Sequence, residues 1–342
     1  MVAPTIFILG AGFTRAFCST APLLLDDWGI RNIKQHFSAF PTANSILNDA
    51  LSERADGQVN LEKLMTRVMG MPYDTPEADR ELALLEARLM HLLCDRIAKA
   101  KGNGIDHGSL QSFANLIRDE KSSVITFNYD DILDETLWNT PFEGSGTPFW
   151  NPDGGYGFYC RSSQGIPQAR PFQGTVSDTL ILKLHGSINW RYRVGNKSPH
   201  GPSEIFHHEQ WDRASRYPAH LIEPHLEANP FIVPPVLIKS ELTAHPVLRH
   251  IWKLAYDTIA SAGRIVFIGY SFPETDLAAR TLFRETISSR SEANFPELEI
   301  VSLCDNFNER DRIMRCYRSL IPNLKDSQFH FDGAKNWLGQ QA

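Results

Sequence analysis

Short apolar runs punctuate this chain at Thr5–Leu9 (TIFIL), 123–127 (SVITF), 180–184 (LILKL), 264–268 (RIVFI) and 298–303 (LEIVSL), and each ends in a polar or glycine-bearing turn. Continuous β-branched runs of this length predict strands buried on both faces, as in a parallel sheet. Helical patterns separate several of them, which is the signature of βαβ units. The strongest helix is expected at 76–100. Thr75 and Pro76 open it, acidic residues fill its first turn, Leu82, Leu84, Leu85, Leu89, Leu92 and Leu93 supply a broad apolar stripe, and Gly102 follows its end. A second helix over about 108–119 runs straight into the next strand. The span 22–118 therefore reads as a helical insertion packed over the sheet. Further helices are expected at about 245–261, from Asp276 and at about 308–319, with a last short strand near 328–331. Two stretches lack such periodicity: 139–178, rich in Gly, Pro and aromatics, and 195–245, rich in His, Pro and aromatics. They predict a loop-rich region over 139–245, interrupted by the 180–184 strand, within a single-core domain of residues 1–342.

Composition adds mainly exclusions. A net charge of −6 argues against a surface built to coat nucleic acid. The local group Arg191, Arg193 and Lys197 reads either as a nucleic-acid contact or as a solvated loop. No stretch of 18 consecutive apolar residues occurs, so no transmembrane helix is expected. The opening MVAPTIFILGAG has no basic segment or cleavage site and reads as a buried first strand. Five cysteines (Cys18, Cys94, Cys160, Cys304 and Cys316) are scattered without a C-x-x-C pair, which predicts reduced thiols in a cytoplasmic protein. His207, His208, His220 and His225 fit no familiar ligand spacing, so no metal is expected.

The chemistry gathers at strand ends. Gly10, Ala11 and Gly12, then Phe13, Thr14 and Arg15, follow the first strand and open a helix. Bare backbone N–H groups there can receive a pyrophosphate, in a Rossmann-like α/β fold with helices on both faces of a parallel sheet. Arg15 stands where the third glycine of the dinucleotide fingerprint would fall, so the loop reads equally as a tight structural turn. Thr126, Asn128 and Asp130 follow the second strand, where Asn128 and Asp130 either meet a ligand or cap the next helix. His185 in LHGSINW stands at the mouth of the sheet, in reach of a cleft and titrating near neutral pH. Gly269 and Ser271 follow the fourth strand, ahead of a helix capped by Thr275 or Asp276. Asp305 follows the fifth, in a turn that either meets an adenosine or only links strand to helix.

In order, GAG with Phe13 and Thr14, then TFNYD, LHGS and IGYSF resemble the motif series of the sirtuin superfamily, across most of the chain. The family's G-I-P-D-F-R-like stretch and its two C-x-x-C pairs are missing, which sets the chain apart from protein-deacylating members. What remains resembles the divergent bacterial sirtuin-like effector domains of antiphage defence. That resemblance implies an NAD glycohydrolase that arrests the cell by NAD depletion. It implies that Asn128 orients water or the nicotinamide ribose, and that His185 acts as general base or holds a ribose hydroxyl. Asp130 would bind ribose or brace its loop. Gly10, Ala11, Gly12, Phe13, Thr14, Arg15 and Thr126 would line the pyrophosphate side, with Gly269, Ser271 and Asp305 toward the phosphate or adenosine. A deacylase and a non-catalytic nucleotide sensor are the alternatives. A free-running NADase would kill its host, so restraint is expected from a homo-oligomer or a separate regulator, such as a ring-forming ATPase or a sensor, docking on 22–118 or 195–245.

Overall fold

The structure is a computed structural model that describes residues 4–23, 26–54, 56–70, 75–102, 104–142, 144, 148–158, 160–162, 178–193, 197–198, 201–202, 205–207, 228–236, 245–273 and 276–341. In chain order the first elements are β1 (Thr5–Leu9), α1 (Ala11–Phe17), α2 (Ile30–His36), α3 (Pro41–Ser52), α4 (Leu61–Gly70), α5 (Pro76–Lys101), α6 (His107–Glu120), β2 (Ser123–Thr126), α7 (Ile132–Trp138) and α8 (Pro152–Gly155). Then come β3 (Arg161–Ser162), β4 (Ile181–Lys183), β5 (Gly186–Arg193), β6 (Lys197–Ser198), β7 (Gly201–Pro202), β8 (Ile205–His207) and β9 (Ala228–Ile232). The chain closes with α9 (Pro246–Ser261), β10 (Arg264–Ile268), α10 (Leu277–Phe283), β11 (Glu297–Val301), α11 (Phe307–Arg318), β12 (Phe329–His330) and α12 (Ala334–Gly339).

Six parallel strands form the main sheet in the order β12-β11-β10-β1-β2-β4. Counted along the sheet's own strands this is 6-5-4-1-2-3, the doubly wound Rossmann order, whose direction reverses between β1 and β10. Strand parity shows why both faces must be covered. Phe7 lies edge-on to Phe113 of α6 (5.1 Å between ring centroids) and Trp337 of α12 (6.3 Å). Phe267, in register with Ile8 and so on the other face, meets Phe283 of α10 (5.2 Å) and Tyr317 of α11 (5.3 Å). Ile6, Phe7 and Ile8 are fully buried, as the continuous apolar run requires.

Among the described residues the buried apolar side chains fall into two large clusters and a small third. The sheet and its helices hold the first. Helices α2 to α5 build the second, with Leu61, Leu64, Leu85 and Leu89 at its centre and Tyr129, Ile188 and Val236 at its margin. α6 belongs with the sheet: Leu110, Phe113, Ala114 and Ile117 join the first cluster. The α5 boundaries match the expected signals, since the Thr75 side chain accepts from Ala78 N–H and Gly102 is the C-cap.

The 139–245 region also differs from the expectation. A second sheet, β3-β8-β5-β9, runs through it, with β5 antiparallel to β8 and β9. Alternation does not reveal β5, because its polar Ser187 and Asn189 are buried along with Ile188 and Trp190. His208, His220, His225 and Thr275 lie outside the described residues, as do the side chains of Arg193, Lys197 and His207. Among the described residues no three His, Cys, Asp or Glu form a group able to hold a metal, and no helix is long and apolar enough to cross a membrane.

Candidate functional site at the switch point of the sheet

In an open α/β sheet the natural crevice lies beyond the carboxyl ends of the strands where the order reverses. Here that is the meeting of the loops after β1 and β10, which touch backbone to backbone. Gly12 N–H donates to the Gly269 carbonyl (2.9 Å), and Gly10 N–H to the Ile268 carbonyl (3.1 Å). Gly269 is left-handed (φ +62°), and a Cβ there would sit 2.1 Å from Phe13 N and 2.3 Å from Gly12 C. The glycines thus serve a close loop-to-loop approach. Gly269→Ala is expected to cost about 3 kcal/mol, combining a left-handed alanine (about 1–2 kcal/mol) with overpacking (about 1–3 kcal/mol). Urea unfolding measures it, and wild-type stability would refute this account of the contact.

The next strand joins this loop through side chains. Asn128 donates both amide hydrogens, one to the Gly10 carbonyl (2.8 Å) and one to Thr14 Oγ1 (2.9 Å). The Thr14 hydroxyl in turn donates to Asp130 Oδ2 (2.7 Å). Because Gly10 offers only a carbonyl at that point, the amide orientation is fixed, and Asn128 presents an oxygen as its remaining polar atom. Thr126 Oγ1 accepts from Asn128 N–H (3.1 Å). Neither Asn128 nor Asp130 is the N-cap of α7. That position is Asp131, although Asp130 Oδ1 accepts from Ile132 N–H (3.3 Å). Asp130 thus bonds both to Thr14 and to the start of α7.

Beneath Asp130 lies a feature that the motif reading passed over. Lys183, fully buried, donates to the Asp130 carbonyl and pairs with Asp134 (3.2 Å). Tyr156 donates to Asp134 Oδ1 (2.6 Å), and Asn189 to the Tyr156 hydroxyl (3.0 Å). Burial pushes the Asp134 carboxyl above the usual carboxylate range, against the pull of Lys183 and the Tyr156 hydroxyl. The signal in the sequence is a lysine inside an otherwise apolar run. At the far end of α5, Lys101 pairs with Asp131 (2.8 Å) and Glu135 (2.9 Å), tying the helical unit to α7. Burial opposes the Lys101 charge, but the two carboxylates outweigh it and hold its pKa above the usual lysine range.

His185 lies past the end of β4 and is 4% exposed. Its ring meets Phe127 edge-on (5.3 Å) and lies near Tyr129 (6.2 Å), while Phe127 stacks on Tyr270 (4.4 Å). Its backbone is held where Val233 N–H donates to the His185 carbonyl (2.8 Å). Ala11 and Gly12 are exposed beside the cluster, whereas Phe13 is core, tilted against Phe113 (5.0 Å). Arg15 turns to Asp26 (3.2 Å). Ser271 and Asp305 are exposed on the loops after β10 and β11.

Fold and site together define a doubly wound α/β protein whose polar strand-end residues converge at the switch point. No family model matches the chain, and no curated protein matches it. Among solved structures it is similar to a Sir2 homologue in complex with NAD, at 12% identity over 92% of this chain and 90% of that one (TM-score 0.42). It is also similar to a Sir2 enzyme solved in a study of mechanism and regulation (10% identity, 99% and 90% covered, TM-score 0.43). A third is a mutant Sir2 homologue in complex with 2′-O-acetyl ADP ribose (12% identity, 95% of each chain, TM-score 0.40).

Proposed function

We propose that this chain is an NAD glycohydrolase of sirtuin-like type, acting as a restrained cytoplasmic effector of antiphage defence. The observation that carries the reading is the linked set Gly10, Thr14, Asn128 and Asp130 at the switch point, with His185 at the next strand end. In the reaction the bond between the nicotinamide nitrogen and ribose C1′ breaks, and its electron pair leaves with neutral nicotinamide. Water adds to C1′, its proton passes to His185, and ADP-ribose results. The leaving group carries positive charge beforehand, so no strong acid is needed at the nitrogen. The site has to hold the ribose and place the water, tasks suited to the Asn128 oxygen and the imidazole. The exposed Ala11 and Gly12, with Gly10 and Thr14, would line the pyrophosphate, while Phe13 packs in the core and Arg15 turns to Asp26; Gly269, Ser271 and Asp305 would lie toward the adenosine.

The burial of His185 supports restraint, because water reaches this imidazole only once its neighbours move aside. A second copy of the chain or a separate regulator, such as a ring-forming ATPase or a sensor, would release it. The test is incubation of the purified protein with NAD, with and without an acylated peptide, following nicotinamide and ADP-ribose by chromatography. Release of both without peptide is the expected result. Turnover only with peptide would make the chain a deacylase, and tight NAD binding with no turnover under any condition would make it a sensor.

A further inference from the structure

His185 and Asp276 reach one another from distant strands. The histidine follows β4 and the aspartate follows β10, with β1 and β2 lying between those strands in the sheet. Yet His185 Nε2 stands 3.8 Å from Asp276 Oδ2, with the two side chains only 5% and 3% exposed. The carboxylate is divided between two tasks. Asp276 Oδ1 accepts from Ala279 N–H (3.2 Å) and so caps α10, which points Oδ2 across the site. From sequence the capping task alone is legible.

We propose that Asp276 is a positioning residue for His185, its buried carboxylate sustaining the basicity of the imidazole from across the carboxyl edge of the sheet. Burial disfavours a charged imidazole and would leave His185 a weak base, whereas a carboxylate within about 4–6 Å restores the charged form by about 1–3 pKa units. Among the described residues, the groups whose charges bear on this neighbourhood are two tyrosines and the charges that act on them. Tyr129 and Tyr270, on the loops after β2 and β10, are pushed above the ordinary phenol range, first by burial, and remain neutral through the working range of pH. Glu62 of α4 acts on Tyr129, and Arg280 of α10 on Tyr270. That the imidazole serves as a base rests on the hydrolase reading above; its pairing with Asp276 does not.

The experiment is an NMR titration of His185 in the full chain with Cε1-labelled histidine, its signal identified by its loss in His185→Gln. Asp276→Asn removes the charge while keeping a good helix cap, and Asp276→Ser supplies a second cap-preserving variant if the first folds poorly. The His185 pKa is expected to fall by about 1–3 units in either variant. A change under about 0.3 units in a folded variant overturns the proposal whether or not NAD is cleaved. Where the wild type does cleave NAD, the acidic limb of its kcat/KM profile should move to lower pH by the same amount in Asp276→Asn. The substitution should then cost nothing further in a His185→Ala background, since the aspartate acts through the imidazole. Additive losses would also overturn it, as a purely structural Asp276 would give them.

Discussion

Asn128→Ala and His185→Ala are each expected to lower NAD cleavage by about two or more orders of magnitude, the usual scale for loss of a positioned acid–base or water-orienting group. The two should fail differently. Asn128 is both a site group and the tie between the first two strand ends, since its amide holds the Gly10 carbonyl and Thr14 Oγ1. Asn128→Asp retains the size but loses both N–H donors and faces the Gly10 carbonyl with an oxygen, so it should do no better than alanine. If Asn128 only orients water, kcat falls with KM unchanged; if it also holds a ribose hydroxyl, KM rises as well. His185 is buried against Phe127 and faces Asp276, so His185→Ala should cost stability through a cavity and a stranded carboxylate while turnover collapses in the fraction that stays folded. Near-normal cleavage by both folded variants would remove these residues from the mechanism.

Lys183→Met should destabilise the fold by about 3–5 kcal/mol at neutral pH, the scale for stranding one member of a buried ion pair. The ammonium lost is fully buried, and it holds both Asp134 and the Asp130 carbonyl beneath the site. Without it, burial outweighs the remaining pull of the Tyr156 hydroxyl and raises the folded pKa of Asp134 further above the unfolded value. A carboxyl raised in that way contributes stability below its unfolded pKa and loses it as pH rises through the folded one. Because Asp134 is already raised in the wild type, the deficit should widen only as pH rises above the wild-type folded pKa toward that of the variant. Adding Asp134→Leu should recover much of the loss, because a buried pair replaced by apolar groups often costs little. Denaturant unfolding at several pH values checks both points. A pH-independent deficit would show that the methionine fails by packing rather than by charge.

The strands of the main sheet were legible because a strand buried on both faces must be apolar without interruption. TIFIL and RIVFI coincide with β1 and β10, and LILKL overlaps β4. The α5 helix was legible for a similar reason, since Thr75, Pro76 and Gly102 answer local backbone needs at its ends. The candidate residues at strand ends could be named because a ligand crevice in an open α/β sheet lies just beyond those ends. β5 could not be read, as its buried Ser187 and Asn189 find partners only in the folded chain: Ser187 donates to the Tyr129 carbonyl (3.2 Å) and Asn189 to the Tyr156 hydroxyl (3.0 Å). The division into two apolar clusters was likewise hidden, since an apolar stripe on a helix records burial but not which neighbour buries it.

The sequence by itself determined the parallel α/β class, the main-sheet strands with α5, α6, α9 and α11, and the short polar segments where chemistry could lie, all consequences of local periodicity and backbone conformation. Only the tertiary structure decided that three glycines serve one loop-to-loop contact, that Lys183 answers Asp134, and that His185 faces Asp276. Each of these depends on distances between residues 49 to 259 positions apart in the chain, which no local pattern encodes and which the strand order alone sets.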